Sequence, residues 1–182
     1  SWGFNANDNN WKTPKHVVMQ LAEVVSKGGS FLLNVGPTAK GEIPQPAVAC
    51  LAQVGDWLKV NGEAIYGAGK SDLKGQGDER KLSAAQQAKV EEEARATGAG
   101  KALKRHRETE YTWLATERPG SKGQPAKIYL HIFKWPAGRL EVHGVKGKVN
   151  RAYLLGDAKH PPLKFAQSDG TLSVELADTA PD

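Results

Sequence analysis

The side chains able to do chemistry are dispersed along this sequence. The five histidines, His16, His106, His131, His143 and His160, include no pair at a helical metal-ligand spacing such as His-Glu-x-x-His, so no metal site is expected. The single cysteine, Cys50, excludes an internal disulfide and a cysteine-based zinc site. Its setting among Ala, Val and Leu predicts a buried, inert thiol. Gly98-Ala99-Gly100-Lys101 lacks both the Gly-Lys-Ser/Thr ending and the preceding buried strand of a phosphate loop, and no cofactor is expected. Carboxylates could act as acid, base or nucleophile. However, Glu42 and Glu63 fall in turns flanking an expected helix, Asp56 lies on that helix, and Glu91-Glu92-Glu93 lies on a polar stretch. Such positions suit helix-terminus charges and solvated faces, so no residue is assigned a catalytic role.

The elements that would have to position these groups are legible from periodicity. Thr13-Pro14 before Val17, Val18, Leu21, Val24 and Val25 predicts a capped amphipathic helix that Gly28-Gly29 ends. Phe31-Leu32-Leu33-Asn34-Val35, closed by Gly36-Pro37, has the continuous apolar pattern of a strand buried on both faces. A second helix is expected from Gln45 or Pro46 to Val60, with Leu51, Val54, Trp57 and Leu58 on one face and Asn61-Gly62 as its stop. Helix, buried strand, helix is an α/β rhythm.

That rhythm stops at residue 68. Residues 68–108 contain no aromatic side chain and include Lys-Ser-Asp-Leu-Lys-Gly-Gln-Gly, so they are expected to form a polar linker or insertion, with an exposed helix over Ser83 to Ala96. From Tyr111 onward six short strands are predicted: Tyr111–Thr116, Lys127–Phe133, Arg139–His143, Val149–Leu155, Leu163–Phe165 and Thr171–Leu176. Turns such as Pro136-Ala137-Gly138, Gly156-Asp157 and Asp169-Gly170 separate several of them, the pattern of an antiparallel sandwich or barrel. Trp113, Tyr129, Phe133, Trp135 and Tyr153 sit on these strands. Core or interdomain packing is their expected role, with an exposed row binding carbohydrate as the alternative.

Composition bounds the function classes. The 182 residues, 39% hydrophobic and 25% charged, suit a globular chain with a real core. No apolar run approaches the roughly 20 residues needed to cross a bilayer, and neither a signal peptide nor a membrane anchor is expected. The chain opens on Ser1-Trp2-Gly3-Phe4-Asn5 as if within a folded loop, so a true N-terminus is expected upstream, and localisation is left open with it. The net charge of +5 comes largely from Lys101, Lys104, Arg105 and Arg107. Without interleaved aromatics this is expected to be a solvated segment rather than a nucleic-acid site.

Taken in order, four blocks resemble glycoside hydrolase family 29, the α-L-fucosidases: Ser1-Trp2-Gly3-Phe4-Asn5, Gly28 to Pro37, Gly55-Asp56-Trp57-Leu58, and Asn61-Gly62-Glu63-Ala64-Ile65-Tyr66. Ile128 to Pro136 and Ala152 to Asp157 are similar to that family's C-terminal sandwich. The resemblance fails over about residues 70 to 108, and Lys40 stands where the family usually has an acidic residue.

The resemblance implies an α/β plus all-β chain: the last part of a (β/α)8-like barrel over residues 1–67, the linker or insertion over 68–108, and an antiparallel β-sandwich over 109–182. It implies the C-terminal portion of a retaining hydrolase of terminal α-L-fucose on glycoconjugates, with fucosylated glycans as substrate. Retaining chemistry needs a nucleophilic carboxylate and an acid/base carboxyl about 5–5.5 Å apart. Both family residues would precede Ser1, so the chain alone is expected to be inactive. Trp2 could wall the sugar's methyl group or pack under a loop, and Asn34 could bond substrate or tie down a neighbouring loop. Periplasmic, extracellular or lysosomal placement would fit the family. A carbohydrate-binding sandwich without chemistry is the alternative.

Overall fold

The structure is a computed structural model that describes residues 4–79, 88, 92 and 109–181. The expected helix over Ser83 to Ala96 and the basic cluster at 101–107 therefore lie outside the described residues, save Ala88 and Glu92, which are both helical.

Helix α1 spans Pro14–Ser26. The Thr13 side chain accepts a hydrogen bond from the His16 amide at 3.2 Å, so one free N–H of the first turn is satisfied where proline already fixes φ. The helix ends on Gly28 at φ 77°, with Gly28 and Gly29 amides returning to the carbonyls of Val25 and Val24. Helix α2 spans Gln45–Asn61. Gly62 closes it but keeps right-handed backbone, and the chain continues as a 3-10 turn over Gly62–Ala64. A Cβ on Gly62 would lie 2.8 Å from the Tyr66 ring.

The two helices pack through Val17, Val18 and Val54, with Phe31, Leu33, Cys50, Trp57 and Leu58 against them. Leu51, expected on the same apolar face, is 39% exposed. Cys50 is half-buried and free rather than fully enclosed. Phe31–Val35 is not assigned as a strand, and Leu32 is 90% exposed. An apolar strand pattern becomes a strand only where a neighbouring strand pairs with it, and among the described residues no strand pairs with this run.

Among the described residues the strands form two antiparallel three-stranded sheets. One has the order β1 (Gln76–Glu79), β2 (Thr109–Arg118), β3 (Lys127–Ile132). The other has the order β4 (Arg139–His143), β6 (Thr171–Glu175), β5 (Phe165–Ser168). They enclose a shared core of Leu73, Trp113, Ala115, Leu140, Val142, Val145, Leu172 and Val174. In β2 the period of two buries both faces: Trp113 and Ala115 turn to this core, while Leu114 and Thr116, also buried, turn away from it.

Three strands differ from expectation, one of them β5, which starts at Phe165 rather than Leu163 because the Leu163 amide bonds to Ala152 O instead of a sheet neighbour. Strand β1 lies in the stretch that reads as linker, because the glycine just before it permits close approach: a Cβ on Gly75 would sit 2.6 Å from Leu114 Cδ2 and 2.7 Å from the Trp113 carbonyl oxygen. Conversely, Val149–Leu155 forms no strand. The segment returning past it carries Pro161-Pro162, which have no N–H to give, and one backbone bond, Leu163 N–H to Ala152 O at 2.8 Å, is formed between them. The Val149 amide is taken instead by the Gln167 side chain at 2.9 Å.

Candidate functional site

The segment leading into α1, the extended run after it and the first turns of α2 converge on a cleft of about 260 Å³. Phe4, Trp11, Leu33 and Leu51 supply apolar wall, and Asn5, Asn10, Asn34, Asp8 and Lys12 bring polar groups to it. The 5–10 loop is held by consecutive side-chain turns: Asn5 Oδ1 accepts from the Asn7 amide and Asp8 Oδ1 from the Asn10 amide, each at 3.0 Å. Its shape thus comes from its own short polar side chains. Asn34, flagged by the sequence, lines the cleft and is exposed. Trp2 lies outside the described residues.

Apolar walls with convergent amides suit a small polyhydroxylated ring, which presents apolar C–H faces and polar edges. Double displacement at a sugar carbon requires two carboxyl groups. Of the described residues lining the cleft, Asp8 is the one carboxylate. Glu42 sits in a turn in which the Thr38 hydroxyl accepts from the amides of Lys40 and Glu42, and Gly41 has φ 81°. That geometry is set by Thr38 and Gly41, so Lys40 is accommodated as an exposed turn residue. Asp56 pairs with Lys59 on the solvent face of α2. Among the described residues no group of three or more His, Cys, Asp or Glu side chains could hold a metal ion.

A second constellation was missed by reading the sequence: the seam between the 3-10 turn and the outer face of β2 and β3. The Glu63 carboxylate accepts from Lys127 Nζ and from the Tyr129 hydroxyl at 2.7 Å. Those two donors hold its pKa below the ordinary carboxylate range, while burial first, and then Glu63, pushes the Tyr129 phenol up. Arg118 donates to the carbonyls of Glu63 and Tyr66 at 2.9 and 2.6 Å. The Thr116 hydroxyl donates to Ala64 O at 2.6 Å. Glu63 thus does more than charge a helix end, and the block Asn61 to Tyr66 is the piece of helical sequence that the sandwich grips. Alternation of Lys127, Tyr129 and His131 in β3 was the available signal, since polar side chains on one strand face need partners when that face is covered.

The strand aromatics pack rather than forming an exposed row. Trp113 and Tyr129 are buried, and Phe133 joins the helical cluster. Half-buried Trp135 donates its indole N–H to Ala177 O at 2.7 Å. Tyr153 lies with its ring centroid 4.7 Å from that of His160, and the Arg151 guanidinium stands 5.1 Å from the Tyr153 ring centroid.

With this geometry in hand, comparison with known proteins is specific. The alpha-L-fucosidase family model matches residues 1–63. Plasma alpha-L-fucosidase of Rattus norvegicus is 50% identical over 68 residues, which is 36% of this chain and 15% of that protein. The human plasma enzyme is 48% identical over 68 residues, with the same shares. Among solved structures, alpha-L-fucosidase isoenzyme 1 of Paenibacillus thiaminolyticus superposes with a TM-score of 0.69 and 31% identity, covering 100% of this chain and 35% of that one. A family 29 alpha-L-fucosidase of Bacteroides thetaiotaomicron, captured as a covalent intermediate, has a TM-score of 0.67 at 22% identity, covering 99% of this chain and 33% of that one. The chain is thus similar to alpha-L-fucosidases, and it spans 15% of the length of the curated relatives it matches and about a third of the structures.

Proposed function

We propose that this chain is the C-terminal portion of a retaining α-L-fucosidase that hydrolyses terminal α-L-fucose from glycoconjugates. In this reading residues 1–67 complete one side of a (β/α)8-like barrel and its active-site mouth, and the sandwich buttresses them through the 62–66 turn. Residues 68–108 connect the two parts, with Gln76–Glu79 lending a strand to the sandwich. The observation that carries the reading is the cleft. It joins the Ser1–Asn5 block, through Phe4 and Asn5, to the Gly28–Pro37 block, through Leu33, Asn34 and Gly36.

Among the described residues that line the cleft Asp8 is the one carboxylate, which supports placing nucleophile and acid/base outside this chain. Asn34 and Trp2 contribute to binding the sugar and not to its chemistry. The test is hydrolysis of an aryl α-L-fucoside. The 182-residue chain is expected to give no turnover above buffer, and the same chain joined to its upstream barrel sequence is expected to hydrolyse the substrate. Robust turnover by the chain alone would place the carboxylates within it and overturn the assignment.

A further inference from the structure

One histidine on the seam is used by nothing in the cleft. His131 of β3 is 7% exposed, and its ring centroid lies 6.1 Å from that of Trp57 in α2. Its Nε2 is 3.0 Å from Thr116 Oγ1. The Thr116 hydroxyl spends its proton on Ala64 O, so toward the imidazole it can only accept. The imidazole must therefore carry a proton on Nε2. The relay from His131 through Thr116 to Ala64 links β3, β2 and the 3-10 turn.

The charged groups on the elements around this ring are engaged elsewhere. Glu63 on the turn takes Lys127 and Tyr129 of β3, and Arg118 on β2 takes the carbonyls of Glu63 and Tyr66. Glu117 on β2 accepts from the Ser71 hydroxyl and the Asp72 amide. On α2, Asp56 pairs with Lys59. Among the described residues, no carboxylate is in contact with the ring to balance a second proton.

We propose that His131 is a pH-operated latch on this seam: the neutral imidazole holds the 62–66 turn against the sandwich, and a second proton releases it. The sandwich core of Trp113, Leu140, Val142, Leu172 and Val174 lies away from the relay, so release is local. Burial supplies the bias, lowering His131 from an ordinary 6.5 to about 4. The closed seam is at full strength above about pH 6.5. It weakens as pH falls toward 4, because the released imidazole takes up a proton that the docked one refuses.

Hydrogen–deuterium exchange of the 182-residue chain, corrected for intrinsic exchange rates, reads the latch directly. Between pH 7.5 and 4.5, opening of the segment containing Ile65, Tyr66 and Gly69 is expected to rise roughly 10- to 100-fold. The β4 and β6 amides are expected to change little. His131→Asn, which keeps an N–H donor for Thr116, is expected to abolish this pH dependence. Equal seam protection at both pH values would overturn the proposal. So would equal loss in β4 and β6, or a pH dependence that persists in His131→Asn, which would place the titrating group elsewhere. Should that variant fail to fold, titration of the wild-type imidazoles by NMR decides: an apparent pKa near 4 for His131 supports the latch, and one near 6.5 overturns it.

Discussion

Thr116 and Glu63 hold the same turn by different physics, and their substitutions should separate. Thr116 is wholly buried and bridges a carbonyl and an imidazole. Thr116→Val preserves shape but strands both partners, so a loss of about 1–3 kcal/mol is expected, read as a lower urea midpoint with unchanged m. Glu63 and Lys127 have side chains about one-third exposed, at 33% and 34%, and solvent screens the pair. Glu63→Gln keeps an acceptor for Tyr129 and should cost only about 0.5–1 kcal/mol, or roughly 1–4 °C in melting temperature for a chain of this size. The sign with pH follows from the lowered Glu63 pKa. Its contribution is complete above the ordinary carboxylate value and fades as pH falls through the lowered folded value. The melting-temperature gap between wild type and Glu63→Gln should therefore persist at pH 6 and close in strong acid. That window lies below the His131 window, so the two groups can be told apart.

At the scale of elements, the segments legible in the sequence are those whose start and stop are local. Thr13 caps, Pro14 begins and Gly28 ends α1 with chemistry contained within the helix and its flanks. Thr13→Ala should accordingly cost about 1 kcal/mol, measurable as a fall in thermal midpoint. Strand pairing is decided elsewhere in the chain, and there the reading was weaker. Gly75 and Gly77 read as linker residues, although Gly75 lets the chain pass within contact of Leu114 and Gly77 pairs with Tyr111. Val149 to Leu155 has a strand's composition, but its would-be partner holds two prolines. The cleft was half legible: Asn34 and the Ser1–Asn5 block stood out by their types, whereas Asp8, Asn10, Trp11 and Lys12 come into the site only because side-chain turns fold the loop back. The grip on the 63–66 turn was hard to read because its hydrogen-bond partners on β2 and β3 lie 52 to 66 residues away, and the polar alternation of β3 was its one local sign.

At the scale of the molecule, the two parts differ in how completely they are covered. The sandwich closes its core between two sheets, and Thr116 and Tyr129 find partners across the seam, while the buried Arg118 Nε has none among the described residues. The helical part does not cover itself: Leu32 is 90% exposed, Val48 42% and Phe4 42%. Leu33, the next residue, packs into the helical cluster, so Leu33 and Leu32 face opposite ways, one packed and one exposed. If this run is the last strand of a larger barrel, Leu32 is a core residue without its neighbours. A distinctive asymmetry follows. In the 182-residue chain, Leu32→Lys removes no packed side chain and should shift stability by less than about 0.5 kcal/mol, while lowering self-association measured by sedimentation. In the chain joined to its upstream barrel, the same substitution buries an ammonium group among barrel side chains and should unfold or inactivate the enzyme. Leu33→Lys should be severe in both contexts, because its site is already packed. Equal tolerance of Leu32→Lys in the long and short chains would show that this face stays open to water, and the barrel placement of residues 31–35 would fall with it.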